Sequence, residues 1–596
     1  MAKARKNIVK EALRRFEISS TAEQDNRTRA LEANNFVRGK QWSESDLQER
    51  KLSNRPALTV NKTRVMVNRV VGDIIQNLPG MTVIPVETGD FEGAQVRQEL
   101  LRHSERISEA SDVYTLAARQ AVEHGFGYFR IFTKNIDDET FDQDIVIELI
   151  RNPFTVYMDQ SAKKYTYEDG RWALISVMIT EEEFKRQFPT KQFVDFHGNT
   201  GELGEQFEKW HEPNKIRIAE YFWKEPVRKT IADITNGVDR KTVELTDDVS
   251  RAALRRQGWQ ILRERKADSH KIMWAKVSSH EVLEGPIEFP SRYIPIVPVL
   301  GYEDNVEGKR SFVGLINDMM DSQKMLNFFY TSEVEAVQMQ TKAPWLGTPL
   351  NFQGNEVMWR NANNTPYSAL IATPDPRIPG GMPQRIEPPR SSSGHLNHIQ
   401  LADGDMKDTS GIQDASLGKT SNERSGRAIL ARQRGSDITT VTFRDNVLKS
   451  IRYSGKIMLD MMPRIYDNER VIRVVGKEGD LRDLFLNFTV LDFETGEQVL
   501  VNDISEGKFD YIADAGAMFQ TRRQEAAATL TMALQFAGPQ YADILIPRIM
   551  KMQDIPESQE VAREMEERNR LLLGQAASGS PPNAVPTERD LAPPVA

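Results

Sequence analysis

The 596-residue chain contains no cysteine. Disulfides and every cysteine-containing zinc site are therefore excluded, and the chain is indifferent to the redox state of its compartment. Long apolar runs are missing as well. The best stretch, residues 293–300, is short and holds two prolines, well below the ~18 residues of a membrane span. The N-terminus, MAKARKNIVKEALRRFEI, is basic but has no apolar core of a signal peptide. The expected location is the cytosol in which the chain is made. An excess of positive charge is absent too: the formal net charge is −8, which argues against a whole-surface nucleic-acid binder.

Catalytic and cofactor motifs are equally scarce. His395 and His398 are three apart on a predicted helix, but no third ligand stands near them, so a structural role is expected. The acidic run from Asp137 to Asp144 lacks the glycine and ligand spacing of a calcium loop and reads as a solvated turn. Gly125-Phe126-Gly127 lacks the third glycine of a dinucleotide fingerprint and precedes a strand. Gly418-Lys419-Thr420 resembles the end of a phosphate-binding loop. That loop needs a glycine at 413, where the chain has Gln413, and a buried strand before it, where the chain is polar. A nucleic-acid-dependent ATPase is thus the disfavoured alternative. No nucleophile, base and orienting group assemble from the sequence. No cofactor and no metal are expected, and the chain is read as a non-enzyme.

What is present is architecture. At 39% hydrophobic and 28% charged residues, most of the chain should fold as globular protein, in about four units by length. Residues 5–45, 62–77 and 93–124 read as helices. β-like runs follow at 128–132, 145–150, 154–158 and 172–179, and 216–300 mixes strands with one helix near 248–257. Residues 1–310 together read as an α+β body. Residues 311–342 form a long helix, apolar and aromatic in its first half and thinner after Val334. A proline-rich, weakly periodic loop-and-strand module follows to 390, then a helix near 394–410, the Gly-Lys-Thr loop, and a third helix. There Ile438, Val441, Leu448, Ile451, Met458, Met462 and Ile465 are expected to form the buried stripe, and Gly435 is a candidate bend. From 411 to 456 nine Lys/Arg face four acids, a local net of +5. Such a stretch is either a solvated face or an electrostatic contact with phosphates. Aromatics are nearly absent from 411–440, so stacking on single strands is not expected. Short strands are expected over 470–514, helices over 521–574 and disorder after that.

Several segments resemble the portal proteins of short-tailed double-stranded-DNA bacteriophages. They are 54–77 (NRPALTVNKTRVMVNRVVGDIIQN), 125–131 (GFGYFRI), 152–164 (NPFTVYMDQSAKK), 414–433 (DASLGKTSNERSGRAILARQ) and 521–527 (TRRQEAA). They run in the same order along most of the chain, and 414–433 is the most specific. None is a catalytic motif. The resemblance implies an α+β, mainly helical fold forming a ring, most often a dodecamer, with a central channel at one capsid vertex. It implies a wing (1–310 and 427–520), a stem helix (311–342), a clip (343–390), a second stem helix (391–410), a tunnel loop (411–426), crown helices (521–574) and a tail (575–596). Ser416, Lys419, Thr420, Asn422, Arg424 and Arg427 would face DNA. Trp345, Asn351, Trp359, Arg360, Tyr367, Arg377 and Arg385 would meet the packaging motor and then the tail adaptor. The implied partners are double-stranded DNA, the large terminase subunit, the adaptor, the major capsid protein and the scaffolding protein, with no membrane. The implied location is the virion, after assembly in the host cytoplasm. A long C-terminal helical barrel, present in some relatives, is not expected.

Overall fold

The computed structural model describes residues 2–76, 78, 80–85, 91–191, 211–212, 215–237, 240–245, 251–341, 343–387, 393–412, 426–475, 481–491, 498–504 and 509–514, with isolated positions between 530 and 568. The chain divides into two units, Met1–Ile75 with Met81–Ala513, and Gln76–Gly80 with Asp514–Ala596. The second unit is helical at its described positions from 530 onward.

Helices open the first unit, although the breaks are more frequent than the periodicity predicts. The single helix expected over 5–45 is two, α1 (Ala2–Ala22) and α2 (Gln24–Val37), and a further helix, α3 (Glu44–Leu52), begins at its end. Ser43 starts the last of these by accepting the Asp46 N–H at 3.1 Å, a side-chain cap for an otherwise orphaned donor. α4 (Thr63–Gln76) buries Met66, Val67, Val70, Val71 and Ile74 but leaves Val65 and Ile75 exposed. The strand β1 (Gly80–Pro85) follows. The helix expected over 93–124 divides into α5 (Phe91–Ile107) and α6 (Ala110–His124). Glu109 sits at φ 47°, a left-handed backbone that cannot continue a right-handed helix. Next to it the Ser108 hydroxyl donates to the Ser104 carbonyl at 2.6 Å and accepts the Ile147 N–H at 2.9 Å.

Strands then appear where the β-like runs predict them. They are β2 (Phe126–Asn135), β3 (Gln143–Leu149), β4 (Val156–Met158) and β5 (Trp172–Thr180). After α7 (Glu181–Gln187) come β6 (His211–Glu212), β7 (Lys215–Thr235), β8 (Arg240–Leu245), α8 (Arg251–Arg256), β9 (Gln260–Val277), β10 (Val282–Glu288), β11 (Ile296–Leu300), β12 (Tyr302–Val306) and β13 (Lys309–Val313). The main sheet has the order β10-β9-β7-β5-β4, with β6 and β8 also pairing β7. A smaller antiparallel sheet has the order β11-β2-β3. α1 lays Val9, Ala12, Leu13 and Phe16 on Tyr157, Trp172, Leu174 and Tyr221. The three-to-four spacing of those apolar residues is what makes α1 a lid on the sheet.

The second half is built on long helices. α9 (Leu315–Thr341) is followed by β14 (Trp345–Leu346), α10 (Pro349–Phe352), α11 (Glu356–Arg360), β15 (Gln384–Arg385), α12 (Ser393–Ser410) and α13 (Gly426–Ile465). The helix expected from 311 starts at Leu315 because 309–313 pair with 302–306 as a hairpin. The module after α9 holds two short helices besides its strands. α13 runs 40 residues, about 60 Å at 1.5 Å each, and remains helical through Gly435. Its buried face is rotated from the expected stripe. Leu448, Ile451, Met458 and Met462 are buried as expected, Val441 is exposed, and Phe443, Val447, Ile457 and Met461 complete the face. The cause is polar. Asn446 Nδ2 donates to the carbonyls of Leu300 (3.1 Å) and Gly301 (2.9 Å), and Ser450 donates to Pro298 (2.5 Å). These bonds bring the free edge of β11 against the helix and fix its rotation. β16 (Arg470–Val475), β17 (Leu481–Leu486), β18 (Phe488–Leu491), β19 (Gln498–Val501) and β20 (Phe509–Asp514) complete the element order.

Gly125-Phe126-Gly127 joins α6 to β2, and each glycine has a reason. Gly125 ends α6 at φ 97° with its N–H on the Ala121 carbonyl at 2.9 Å, a C-cap conformation favouring glycine. At Gly127 a Cβ would lie 2.2 Å from the Ala117 carbonyl oxygen, so strand and helix backbones meet where no side chain fits. Gly127→Ala is expected to destabilise the fold by about 1–3 kcal/mol, measured as a lower urea midpoint. A wild-type midpoint would show that β2 shifts freely against α6.

Candidate functional site

α9 and α12 pack against each other and bracket the 343–387 module, so this helix pair is the framework on which a functional surface can be carried. α12 turns Ile399, Ala402 and Met406 inward. Phe329 of α9 stacks on His398 (centroids 4.7 Å apart, planes 10°), and His395 Nδ1 lies 3.3 Å from Glu333 Oε2. The two histidines thus hold the helices together. Among the described residues no group of His, Asp and Glu could hold a metal ion.

The opposite connection of α9 is polar and regular. Gln323, Asn327, Thr331 and Glu335 recur every four residues, and the first three are buried. The Gln323 Oε1 accepts the Lys62 N–H at 3.1 Å, the Asn327 Oδ1 accepts the Val60 N–H at 2.9 Å, and the Thr331 Oγ1 accepts the Leu58 N–H at 3.2 Å. Gln323 Nε2 returns a bond to the Val60 carbonyl at 2.8 Å, and Asn327 Nδ2 donates to Gln41 Oε1 at 2.6 Å. The spacings explain the fit. Four helical residues advance about 6.0 Å and two extended residues about 6.6 Å, so alternate amides of 58–62 meet successive turns. One rung further the segment offers Pro56, which has no N–H. There the helix carries an acid. Glu335 takes Arg50 at 2.6 Å and Arg55 at 2.8 Å. Burial works to raise the Glu335 carboxyl, but Arg55 and Arg50 outweigh it and hold it below the ordinary carboxylate value. Asp403 of α12 receives Lys62 and, at 2.9 Å, Lys407, and those cations likewise overcome burial to hold it low. The sequence signal for this ladder is four polar residues at a step of four inside a partly apolar helix.

In the bracketed module, Trp345 on β14 meets Trp359 on α11 edge to face at 5.2 Å, and Phe352 meets Trp359 at 5.3 Å. Trp359 Nε1 donates to the Ile371 carbonyl at 2.7 Å. Asn351 is 2% exposed. Its amide donates to the carbonyls of Thr373 (2.8 Å) and Gly381 (2.7 Å), while its oxygen accepts the Thr348 N–H at 2.8 Å. Asn351 therefore organises the module from inside, and Trp345 and Trp359 are half-buried in its small aromatic core. Arg360, Tyr367, Arg377 and Arg385 are exposed, and the Arg385 guanidinium lies over Trp345 at 5.9 Å.

The predicted DNA-facing residues Ser416, Lys419, Thr420, Asn422 and Arg424 lie outside the described residues. Arg427 falls in the first turn of α13, with its side chain outside the described set. Further along, Lys449 pairs with Asp445 at 2.7 Å and Lys456 pairs with Glu168. Both also stand over aromatic rings, Tyr165 and Tyr293. Some of the cationic stretch is thus already paired with carboxylates of the same chain.

The profile of the phage P22-like portal protein family matches residues 13–592. A portal protein of Acyrthosiphon pisum secondary endosymbiont phage 1 is 23% identical over 563 residues, covering 91% of this chain and 77% of its own length. No helix among the described residues is long and apolar enough to cross a membrane.

Replacing Asn327 by Leu leaves the Val60 N–H and the Gln41 Oε1 without these partners, while Gln41 Nε2 keeps the Phe36 carbonyl. The expected cost is about 1–3 kcal/mol for each unsatisfied group, with faster hydrogen exchange confined at first to the amides of Leu58, Val60 and Lys62. Exchange unchanged at those three amides would show that the ladder does not hold the segment.

Proposed function

The chain belongs to the phage P22-like portal protein family, and from that membership we propose that it forms a homo-oligomeric ring, a dodecamer, through which double-stranded DNA enters and leaves one capsid vertex. The observation that carries the reading is the α9–α12 pair with the 343–387 module at its turn. A helix pair of this kind gives a ring its stem, and the module joining the two helices gives a docking clip. Met325, Phe328, Val337, Met339, Leu396 and Leu401 are exposed on these two helices. A run of large apolar side chains in water fits surfaces that neighbouring subunits cover.

In this reading 1–310 and 427–520 make the wing, 311–342 and 391–410 the stem, 343–390 the clip, 411–426 the tunnel loop, and 521–574 the crown. The clip meets the large terminase subunit during packaging and the tail adaptor afterwards, through Arg360, Tyr367, Arg377 and Arg385. The wing meets the major capsid protein and the scaffolding protein during assembly in the host cytoplasm. The role is that of a non-enzymatic conduit, and hydrolysis belongs to the motor docked on the clip. An overall acidic chain suits this role, since each neutralised phosphate steepens salt-dependent binding by about −0.9 in slope and a strongly basic channel would hold the DNA it must pass.

Purified chain at capsid-assembly concentrations should show rings in negative stain and a mass near twelve chains. A strictly monomeric protein there would remove the ring. Within assembled rings, Lys419→Ala with Arg424→Ala should impair DNA packaging or retention and leave the ring intact. Virus yield equal to wild type from that double variant would strike both residues from the channel.

A further inference from the structure

Two features at opposite ends of β2 belong to neither the helix pair nor the clip. The first is a projection. The β2–β3 turn, residues 136–142, is closed by the Ile136 N–H on the Asp142 carbonyl at 3.0 Å. The Asp137 carboxylate braces it by accepting the N–H groups of Glu139 (2.9 Å) and Thr140 (2.8 Å). At this formed tip Phe141 is 100% exposed and Ile136 53% exposed, beside the carboxylates of Asp137, Asp138, Glu139 and Asp142. An aromatic ring wholly in water on a rigid turn has the form of an interface anchor lacking its pocket.

The second feature is a recess. A cleft of about 880 Å³ opens between α2, the C-terminal end of α6 and residues 151–154. Leu31 and Phe154 supply apolar walls, and Arg38 and Arg151 line it without an ion-pair partner among the described residues. Arg27 and Glu123, which also line it, are matched by Glu23 and Arg119. His124 is 3% exposed, lines the same cleft, and its Nδ1 has no partner; the Gln120 Oε1 is buried and unpartnered too. Burial, aided by Arg38, pushes the His124 imidazole down to about 4, so this is a neutral ring with an unmatched nitrogen. Buried polar atoms without partners are uncommon and ask for a completing molecule.

The strand between the two features decides where the occupant comes from. β2 is 10 residues long, so cleft and turn lie about 30 Å apart on one rigid element. The turn cannot reach the cleft of its own chain. We propose that the 136–142 turn of one subunit seats in this cleft of a neighbouring copy, with Phe141 against Leu31 and Phe154 and the tip carboxylates against Arg38 and Arg151. Such a contact joins unlike surfaces, which is the kind that closes a ring. It rests on the ring reading above.

The test uses full-length protein with a benzophenone amino acid at position 141, irradiated after assembly and mapped by mass spectrometry. Expected are cross-links between subunits to peptides containing residues 24–38 or 151–154. Rings that form but cross-link elsewhere overturn this contact alone, whereas wild-type protein that never forms rings overturns the ring reading with it. DNA oligonucleotide protecting Arg38 and Arg151 from modification, with no cross-link from 141, would assign the cleft to phosphate and overturn the contact. As a second arm, Arg38→Glu with Arg151→Glu should weaken assembly by at least about tenfold, and adding Asp138→Lys with Glu139→Lys should restore it. Failure of that rescue would remove the charge pairing.

Discussion

A backbone strand laid on a helix needs its amides answered, and α9 answers them with side chains. Gln323, Asn327 and Thr331 meet alternate residues of 58–62, and Glu335 meets the arginines where proline removes the next amide. Where the helix covers this half-buried segment, an amide without a partner would cost up to about 1–3 kcal/mol. The bonds are directional and come at matched intervals, so they fix register as well as proximity. A slip by one residue would present carbonyls and side chains to the wrong rungs. The N-terminal helices are therefore indexed to the long helix, while the histidines and Phe329 index that helix to α12. Everything carried beyond the pair inherits its position from this seam.

The same device recurs on α13. Asn446 and Ser450, four residues apart, close the free edge of β11 by bonding carbonyls at 298, 300 and 301. An open edge would be a template for unwanted pairing. In both places a helix uses polar side chains one turn apart to finish a β-like edge, so burial on these helices is not purely apolar. Hydrophobic periodicity consequently locates the helices well and their faces less well.

That limit explains what could be read from the sequence. The strands at 126–135, 143–149 and 172–180 were legible because alternating β-branched and aromatic residues stood between turn residues. α4, α9 and α12 were legible from apolar spacing. The breaks at Glu23 and Glu109 were not, since neither residue is a strong breaker and Glu109 adopts its left-handed backbone under tertiary constraint. The inward face of α13 was misread at Val441 because the buried positions 446 and 450 are polar. At the candidate site, prolines and weak periodicity marked the module, but Asn351 resembled a surface residue. Only its three backbone partners, brought together from 348, 373 and 381, give it an interior role.

Charge is arranged with similar economy. Counting cations along 411–456 suggests a broad phosphate-binding face, yet Lys449 and Lys456 each hold a carboxylate and cover an aromatic ring. A cation already paired releases little counter-ion on meeting a phosphate, so it adds little to DNA affinity. For the conduit proposed above, this matters more than the total. Friction on a sliding duplex grows with the number of phosphates gripped at once, multiplied by every subunit that grips. Pairing at Lys449 and Lys456 therefore makes the local net of +5 over 411–456 an overestimate of the charge open to phosphates.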